Sequence, residues 1–293
     1  MAESKLLHLF DDQKHYLKSF QTFNSYSAKY AMQETWTNTV LLDNIVPHLP
    51  NLDRDKQLRV FGIGSGSGEV DYPFLTALLK KYPIITNRVV EPAEDQIIKY
   101  KALVQSKGHE LQGVKFDWRQ QTLEQYRDTD GVGTKFHFIS TIHSMYHVED
   151  VDSSLMYLYD LLEPGGKLLV IILSDQSGFS NFLNRLPGLL KQSLRYISSA
   201  HIRRPFEARD IPCVQIHRNS EVDITECFNE TSEDGELFRD FLVQLKGFRK
   251  TATPSQYKEA MEYLASSECT KKDGRKIVMN NDRDAVIVTK MST

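Results

Sequence analysis

No stretch of the 293 residues stays apolar long enough to span a bilayer, and the opening Met-Ala-Glu-Ser-Lys lacks the apolar core of a secretory leader. Cysteine is scarce. Cys213, Cys227 and Cys269 are an odd number without a Cys-x-x-Cys pair, so neither a disulfide framework nor a thiolate metal knuckle is implied. The His, Asp and Glu residues show no zinc spacing, no Gly-x-Ser-x-Gly elbow occurs, and no Gly-Lys-Ser/Thr closes a phosphate loop. An excess of basic charge is missing too: 36 Lys and Arg against 39 Asp and Glu give −3, which argues against a nucleic-acid partner held through phosphates. These absences predict a cytoplasmic protein in a reducing compartment, with no metal, no membrane and no nucleic acid among its partners. There is no internal repeat and no low-complexity tract.

What is present is ordinary for a soluble globular chain, 40% hydrophobic and 26% charged, and long enough to bury a sizeable core. Apolar runs at 58–63, 87–91, 113–117, 135–142 and 167–173 read as strands with helices between them. Segments near 213–217 and 284–289 would close the sheet. Such alternation predicts an α/β fold, a mostly parallel sheet with helices on both faces. Before it, residues 6–47 read as largely helical, with Tyr16, Phe20 and Phe23 at i, i+4 and i+7 on one face. That face suits either a helix packed on the core or a lid over the sheet edge. Residues 174–210 read as a helical insertion and 235–246 as a further helix.

The first strand, Leu58–Ile63, runs into a glycine turn, Gly64-Ser65-Gly66-Ser67-Gly68, after which Glu69 reads as the acid opening a helix. The dinucleotide fingerprint Gly-x-Gly-x-x-Gly does not fit: its sixth position falls on Ser67 counted from Gly62, and on Glu69 counted from Gly64. This spacing disfavours a nicotinamide-dependent oxidoreductase. The glycines alternate instead, as they do in S-adenosylmethionine-dependent methyltransferases. Glu91 ends the second strand at the carboxyl edge, where open α/β sheets bind ligands, and its carboxylate is placed to accept the two hydroxyls of an adenosine ribose. The fourth strand runs into Ile142, His143, Tyr146 and His147. Ile142 would line the adenosine side. His143 and Tyr146 would face a methyl acceptor, His143 binding it or taking its proton.

The chain resembles histamine N-methyltransferases over nearly its whole length. The likeness rests on Ile63-Gly64-Ser65-Gly66-Ser67-Gly68-Glu69, Val89-Val90-Glu91-Pro92, Gln96-Ile97-Ile98-Lys99-Tyr100-Lys101, Met32-Gln33-Glu34, and Asn280-Asn281 ahead of the last strand. The resemblance implies a Rossmann-like class I methyltransferase fold with a seven-stranded sheet. It also implies a monomer, S-adenosylmethionine as cofactor, and a small amine or imidazole as substrate. By the same likeness Gly64, Gly66, Glu91 and Gln96 would contact the cofactor, and Thr122 (or Leu123) and Ile142 would flank its adenine. The acceptor would lie among Phe10, Tyr16, Phe20, Phe23, Tyr146, Phe179 and Phe241, oriented by His143 and Asn281.

The likeness breaks at several pocket positions. The family's acid falls on Ala28 or Lys29, its Gln on His143, a Tyr on His147 and a Trp on Leu183. Without the acid a cationic acceptor loses its natural partner, and Lys29 with His143 would suit a carboxylate-bearing imidazole such as carnosine. A fold that binds the cofactor and serves as a catalytically silent interaction module is the alternative from another class. One domain is expected over 1–293, with residues 1–50 as a helical lid and 174–212 as an insertion contributing to the substrate pocket.

Overall fold

A computed structural model of the chain describes residues 6–27, 36–53, 55–129, 131, 133–191, 194 and 196–291. Seven strands form the main sheet: β1 (Leu58–Ile63), β2 (Ile85–Val90), β3 (Val114–Arg119), β4 (Phe136–Ile142), β5 (Leu162–Leu173), β6 (Cys213–Arg218) and β7 (Arg283–Thr289). Their order across the sheet is β3-β2-β1-β4-β5-β7-β6. β1 pairs in parallel with both β2 and β4, β2 with β3, and β4 with β5. β7 runs the other way. Lys290 N–H donates to Gly166 O beside the start of β5, while Ser174 N–H, past its end, donates to Asp282 O. Strand order reverses between β1 and β4, which makes their carboxyl ends a topological switch point. All seven strands fall on or overlap the segments that the apolar runs predict.

The longer α-helices among the described residues are α1 (Gln13–Ser25), α2 (Asp71–Leu79), α3 (Glu94–Ser106), α4 (Leu123–Thr129), α5 (Val151–Asp160), α6 (Gly178–Leu190), α7 (Ser199–Glu207), α8 (Glu233–Val243) and α9 (Pro254–Leu264). Several begin on side-chain caps that satisfy first-turn N–H groups: Asp12 for α1, Asp150 for α5, Ser177 for α6, Ser232 for α8 and Thr253 for α9. Trp36–Ile45 is wound as a π-helix.

The chain forms two compact units: Met1–Tyr30 with Leu173–Ser198 and His217–Arg283, and Ala31–Ile172 with Ser199–Ile216 and Asp284–Thr293. The larger unit carries most of the main sheet around a core that includes Val40, Leu41, Leu58, Leu75, Leu78, Ile85, Phe138 and Ile287. The smaller unit packs α1, α6, α8 and α9 around Phe23, Phe182, Leu186, Phe238, Leu242 and Met279. It also holds a three-stranded antiparallel sheet (Glu221–Asp223, Thr270–Asp273 and Lys276–Asn280) and a short ladder of Leu7–His8 with Leu245–Lys246.

The two long helical stretches expected from the sequence are therefore each divided. From 6–47, α1 belongs to the smaller unit and the π-helix to the larger; from 174–210, α6 belongs to the smaller unit and α7 to the larger. Helix α2 also starts later than Glu69 suggests. Gly68 stands at φ +78°, outside helical space, and its carbonyl accepts the Tyr72 N–H, so Asp71 supplies the acid of the first turn. Among the described residues no helix is long and apolar enough to cross a membrane, and no group of three or more His, Cys, Asp and Glu is placed to hold a metal ion.

Candidate functional site

The carboxyl ends of β1, β2 and β4 bring Gly64, Gly66, Glu91, Gln96, Ile142 and His143 to one edge of the larger unit. β1 passes into the turn as Gly64 N–H donates to Val90 O at 2.8 Å. Gly64 has φ +62°, and a Cβ there would run into the Ser144 side chain, so no other residue fits. Ser144 is itself tied down, its Oγ donating to Ile63 O at 2.9 Å and lying 2.6 Å from Thr141 Oγ1. Gly66 is different. At φ +55° it has no protein atom nearer to the position of a Cβ than Gln96 Oε1, at 4.0 Å. The open side of the turn is thus at Gly66, flanked by Glu91 and Gln96.

Glu91 follows β2 directly and is only 7% exposed. Its Oε2 accepts the Gly66 N–H at 2.9 Å and its Oε1 accepts the Ala93 N–H at 3.0 Å. Each carboxylate oxygen keeps acceptor capacity beyond these bonds. The acid therefore fixes the turn and still has lone pairs with which it could accept a ligand's hydroxyls. Its backbone N–H donates to Arg119 O, which keeps the ends of β2 and β3 in step.

Thr122 sits at the start of α4. Its Oγ1 accepts the Gln125 N–H at 3.2 Å while its own N–H donates to Gln125 Oε1 at 2.9 Å. This reciprocal cap accounts for the residue structurally, and Leu123 beside it is buried. Ile142 ends β4 opposite Ile171. The next residue, His143, stands at φ +52°, a left-handed conformation that costs a β-carbon residue about 1–2 kcal/mol, and its N–H donates to Ile171 O at 2.9 Å. Strain of this kind concentrates at functional sites. Tyr146 and His147 follow in a single 3-10 turn, their rings 4.5 Å apart and edge-on.

Two residues of this edge escape the sequence reading. Asp71 is buried at the head of α2, where burial pushes its carboxyl up to about 6, and its Oδ2 accepts the Tyr100 hydroxyl at 3.2 Å. Ser144 locks the end of β4 to β1. Neither carries a motif, since the contact that gives each its place, Ser144 on Ile63 and Asp71 with Tyr100, joins residues far apart in sequence.

Six of the seven expected acceptor aromatics gather in the smaller unit, while Tyr146 belongs to the larger. Phe23 lies 4.5 Å from Phe241 and 6.2 Å from Phe179, centroid to centroid. Phe20 is 5.9 Å from Phe241; Tyr16 is 6.0 Å from Phe20 and 5.0 Å from Phe10. Phe238, one helical turn before Phe241, joins them edge-on to Phe23 and was not anticipated, although its i, i+3 spacing is a visible signal. Burial pushes the Tyr16 hydroxyl up to about 12, so it stays protonated at physiological pH. The helices that carry these rings are pinned together by His15 Nε2 on the buried Asp240 Oδ2 at 2.7 Å and by Lys246 Nζ on Asp12 Oδ2 at 2.7 Å.

Asn281 lies in the same unit, 2% exposed, with its N–H donating to Ser220 O at 2.8 Å. Its Oδ1 is buried without a hydrogen-bond partner among the described residues. Lys29, expected at the position of the family acid, lies outside the described residues.

Comparisons with known proteins bear on both units. The model of the methyltransferase domain family matches residues 32–216, more than half of the chain. Histamine N-methyltransferase A of Xenopus laevis is 33% identical over 297 residues, covering 98% of this chain and 99% of its own. Histamine N-methyltransferase of Mus musculus is 29% identical, covering 96% of each. Among solved structures, the YcgJ protein from Bacillus subtilis superposes with a TM-score of 0.51 at 17% identity, covering 81% of this chain and 93% of its own. The plantazolicin methyltransferase BamL, in complex with a desmethyl analogue and SAH, gives 0.50 at 13% identity, covering 96% and 93%. The last two show the fold alone.

Proposed function

The chain belongs to the histamine N-methyltransferase family and is an S-adenosylmethionine-dependent methyltransferase, and from that premise we propose that its acceptor is a small amine or imidazole, methylated on nitrogen. The observation that carries this reading is the buried Oδ1 of Asn281, without a partner among the described residues, in the unit that gathers Phe10, Tyr16, Phe20, Phe23, Phe179 and Phe241. A buried acceptor left unpaired costs about 1–3 kcal/mol, and an acceptor molecule's N–H would recover it. Aromatic faces suit a flat imidazole or an amine cation, at about 0.5–2 kcal/mol for each cation–π contact.

The donor supplies an electrophilic methyl on a sulfonium. The chain's part is to hold that donor at Gly66, Glu91 and Gln96 and to orient the acceptor nitrogen. Orientation of two bound reactants is worth roughly 7–11 kcal/mol at its upper end. His143 supports a role at the acceptor, either as a hydrogen-bonding partner or as the group that takes the released proton. The enzyme works in the cytosol as a monomer on this reading, the monomer coming from the family.

Incubation of the protein with S-adenosylmethionine and a pooled set of amines and imidazoles, histamine and carnosine included, is expected to yield a singly mass-shifted histamine or a close analogue. No methylated amine or imidazole, with donor binding intact, would sink the reading in favour of a silent module; faster turnover of carnosine than of histamine would transfer it to carboxylate-bearing imidazoles. Asn281→Ala is expected to raise the acceptor KM about tenfold, from the loss of a single buried hydrogen bond, with donor affinity unchanged by calorimetry.

His143→Gly separates strain from chemistry. Glycine takes φ +52° freely, so stability in thermal denaturation is expected to hold or to rise by up to about 1 kcal/mol. Acceptor kcat/KM is expected to fall at least roughly tenfold, within the usual worth of a positioned acid or base. Unchanged turnover would leave His143 with a structural role only.

A further inference from the structure

Beneath the glycine turn lie two buried polar side chains that neither the donor contacts nor the acceptor site employs. Asp71 opens α2 and is 7% exposed; Tyr100, from α3, is wholly buried and stands edge-on to Trp118 at 5.1 Å and to Phe116 at 5.9 Å. The Tyr100 hydroxyl donates to Asp71 Oδ2 at 3.2 Å. Both side chains press against the glycine-rich segment. Asp71 Oδ2 lies 2.8 Å from where a Cβ on Gly62 would sit, and a Cβ on Gly68 would run into the Tyr100 ring carbons Cδ2, Cε2 and Cγ. Gly62, near the end of β1, and Gly68, which closes the turn, thus rest on this pair, while Gly66 between them opens outward and is held by Glu91.

We propose that Asp71 and Tyr100 are positioning residues for donor binding: the Asp71 carboxylate fixes the Tyr100 hydroxyl, and the Tyr100 ring holds Gly68 and with it the whole turn in the shape that admits the cofactor. Burial drives the Tyr100 hydroxyl well above its ordinary pKa, so it remains a donor across the physiological range. The acid also complements the N-terminal end of α2. An unsupported turn of alternating glycines has many conformations open to it, because each glycine reaches both halves of backbone space. Packing from below removes that freedom before the donor arrives, so less ordering is charged to binding. The proposal rests on the reading of the glycine turn as the donor site.

Calorimetry with S-adenosylhomocysteine on the full chain, alongside steady-state kinetics at saturating donor, tests the pair. Tyr100→Phe and Asp71→Ala are each expected to weaken binding about tenfold, as for a lost buried hydrogen bond to a charged group. kcat at saturating donor should stay within about twofold, since only donor-binding geometry is disturbed. Asp71→Asn keeps an oxygen that accepts the same bond and should bind within about threefold of the parent. The double variant Asp71→Ala/Tyr100→Phe should be no weaker than the weaker single, because both act through one contact. Wild-type affinity in Tyr100→Phe and Asp71→Ala, with affinity lost in Glu91→Ala, would overturn the proposal and leave the donor site standing. Wild-type affinity in Glu91→Ala as well would remove the site itself. A loss in Asp71→Asn equal to that in Asp71→Ala would show that charge and not the hydrogen bond acts, which also overturns it. Should Asp71→Ala fail to fold, Tyr100→Phe, which keeps the ring and deletes only the hydroxyl, decides alone.

Discussion

Glu91→Ala is expected to lower the affinity for S-adenosylmethionine and S-adenosylhomocysteine by at least about 100-fold while the chain stays folded. The carboxylate does two things at once. Toward the protein it accepts the Gly66 and Ala93 N–H groups at 2.9 and 3.0 Å, and without them Gly66 is free to leave its left-handed conformation. Toward the ligand, on the proposed reading, its remaining lone pairs accept a ribose diol. Charge-assisted hydrogen bonds are worth about 1.5–3 kcal/mol each, so the loss of two reaches 3–6 kcal/mol. Isothermal calorimetry measures the affinity, and circular dichroism shows whether the fold survives. Glu91→Gln retains one acceptor oxygen and brings an unwanted donor, so it should fall between the two. Affinity within about threefold of the parent in Glu91→Ala, hardly more than one weak contact is worth, would contradict the role.

Asp71→Asn is expected to gain stability at neutral pH and to lose the gain in acid. Burial raises the folded-state pKa of Asp71 from 3.8 to about 6. The folded chain therefore holds this proton more tightly than the unfolded chain does. The associated stability is present in full below pH 3.8 and is lost as the pH rises through about 6. A shift of about two units corresponds to about 3 kcal/mol at most. Asparagine does not ionise, so it escapes that loss while filling the same space. Denaturant melts of parent and variant at pH 7.5 and pH 4 measure the difference directly. The variant should lead by up to about 3 kcal/mol at the higher pH and by little at the lower. A difference that does not change with pH would mean that Asp71 is not the group that titrates.

Much of the larger unit was legible in the sequence. β1, β4, β5 and β7 are mostly apolar and β2, β3 and β6 half apolar, a pattern that local composition reveals, and the alternating glycines lie next to the first of them. Glu91 could be placed at the sheet edge because it directly follows Val89-Val90, a buried pair. The small three-stranded sheet went unread. Its hairpin, Lys271 to Lys276, is exposed and charged, with no apolar alternation to betray strands. The Asp273-Gly274 turn, with Gly274 at φ +59°, and the short apolar run Ile277-Val278-Met279 after it are the signs it leaves.

The aromatics expected around the acceptor follow from the family likeness, whereas spacing alone links only Tyr16, Phe20 and Phe23. What the sequence by itself determined is the course of the main sheet, the bend at Gly64–Gly68 and the acid that follows β2, because each is set by neighbours within a few residues. Only the tertiary structure decided that Phe241 lies against Phe23, that α6 and α7 belong to different units, and that Asp71 and Tyr100 underlie the glycines. These are contacts between side chains far apart in the chain, set by which faces the packed helices bury, and a local period carries no record of them.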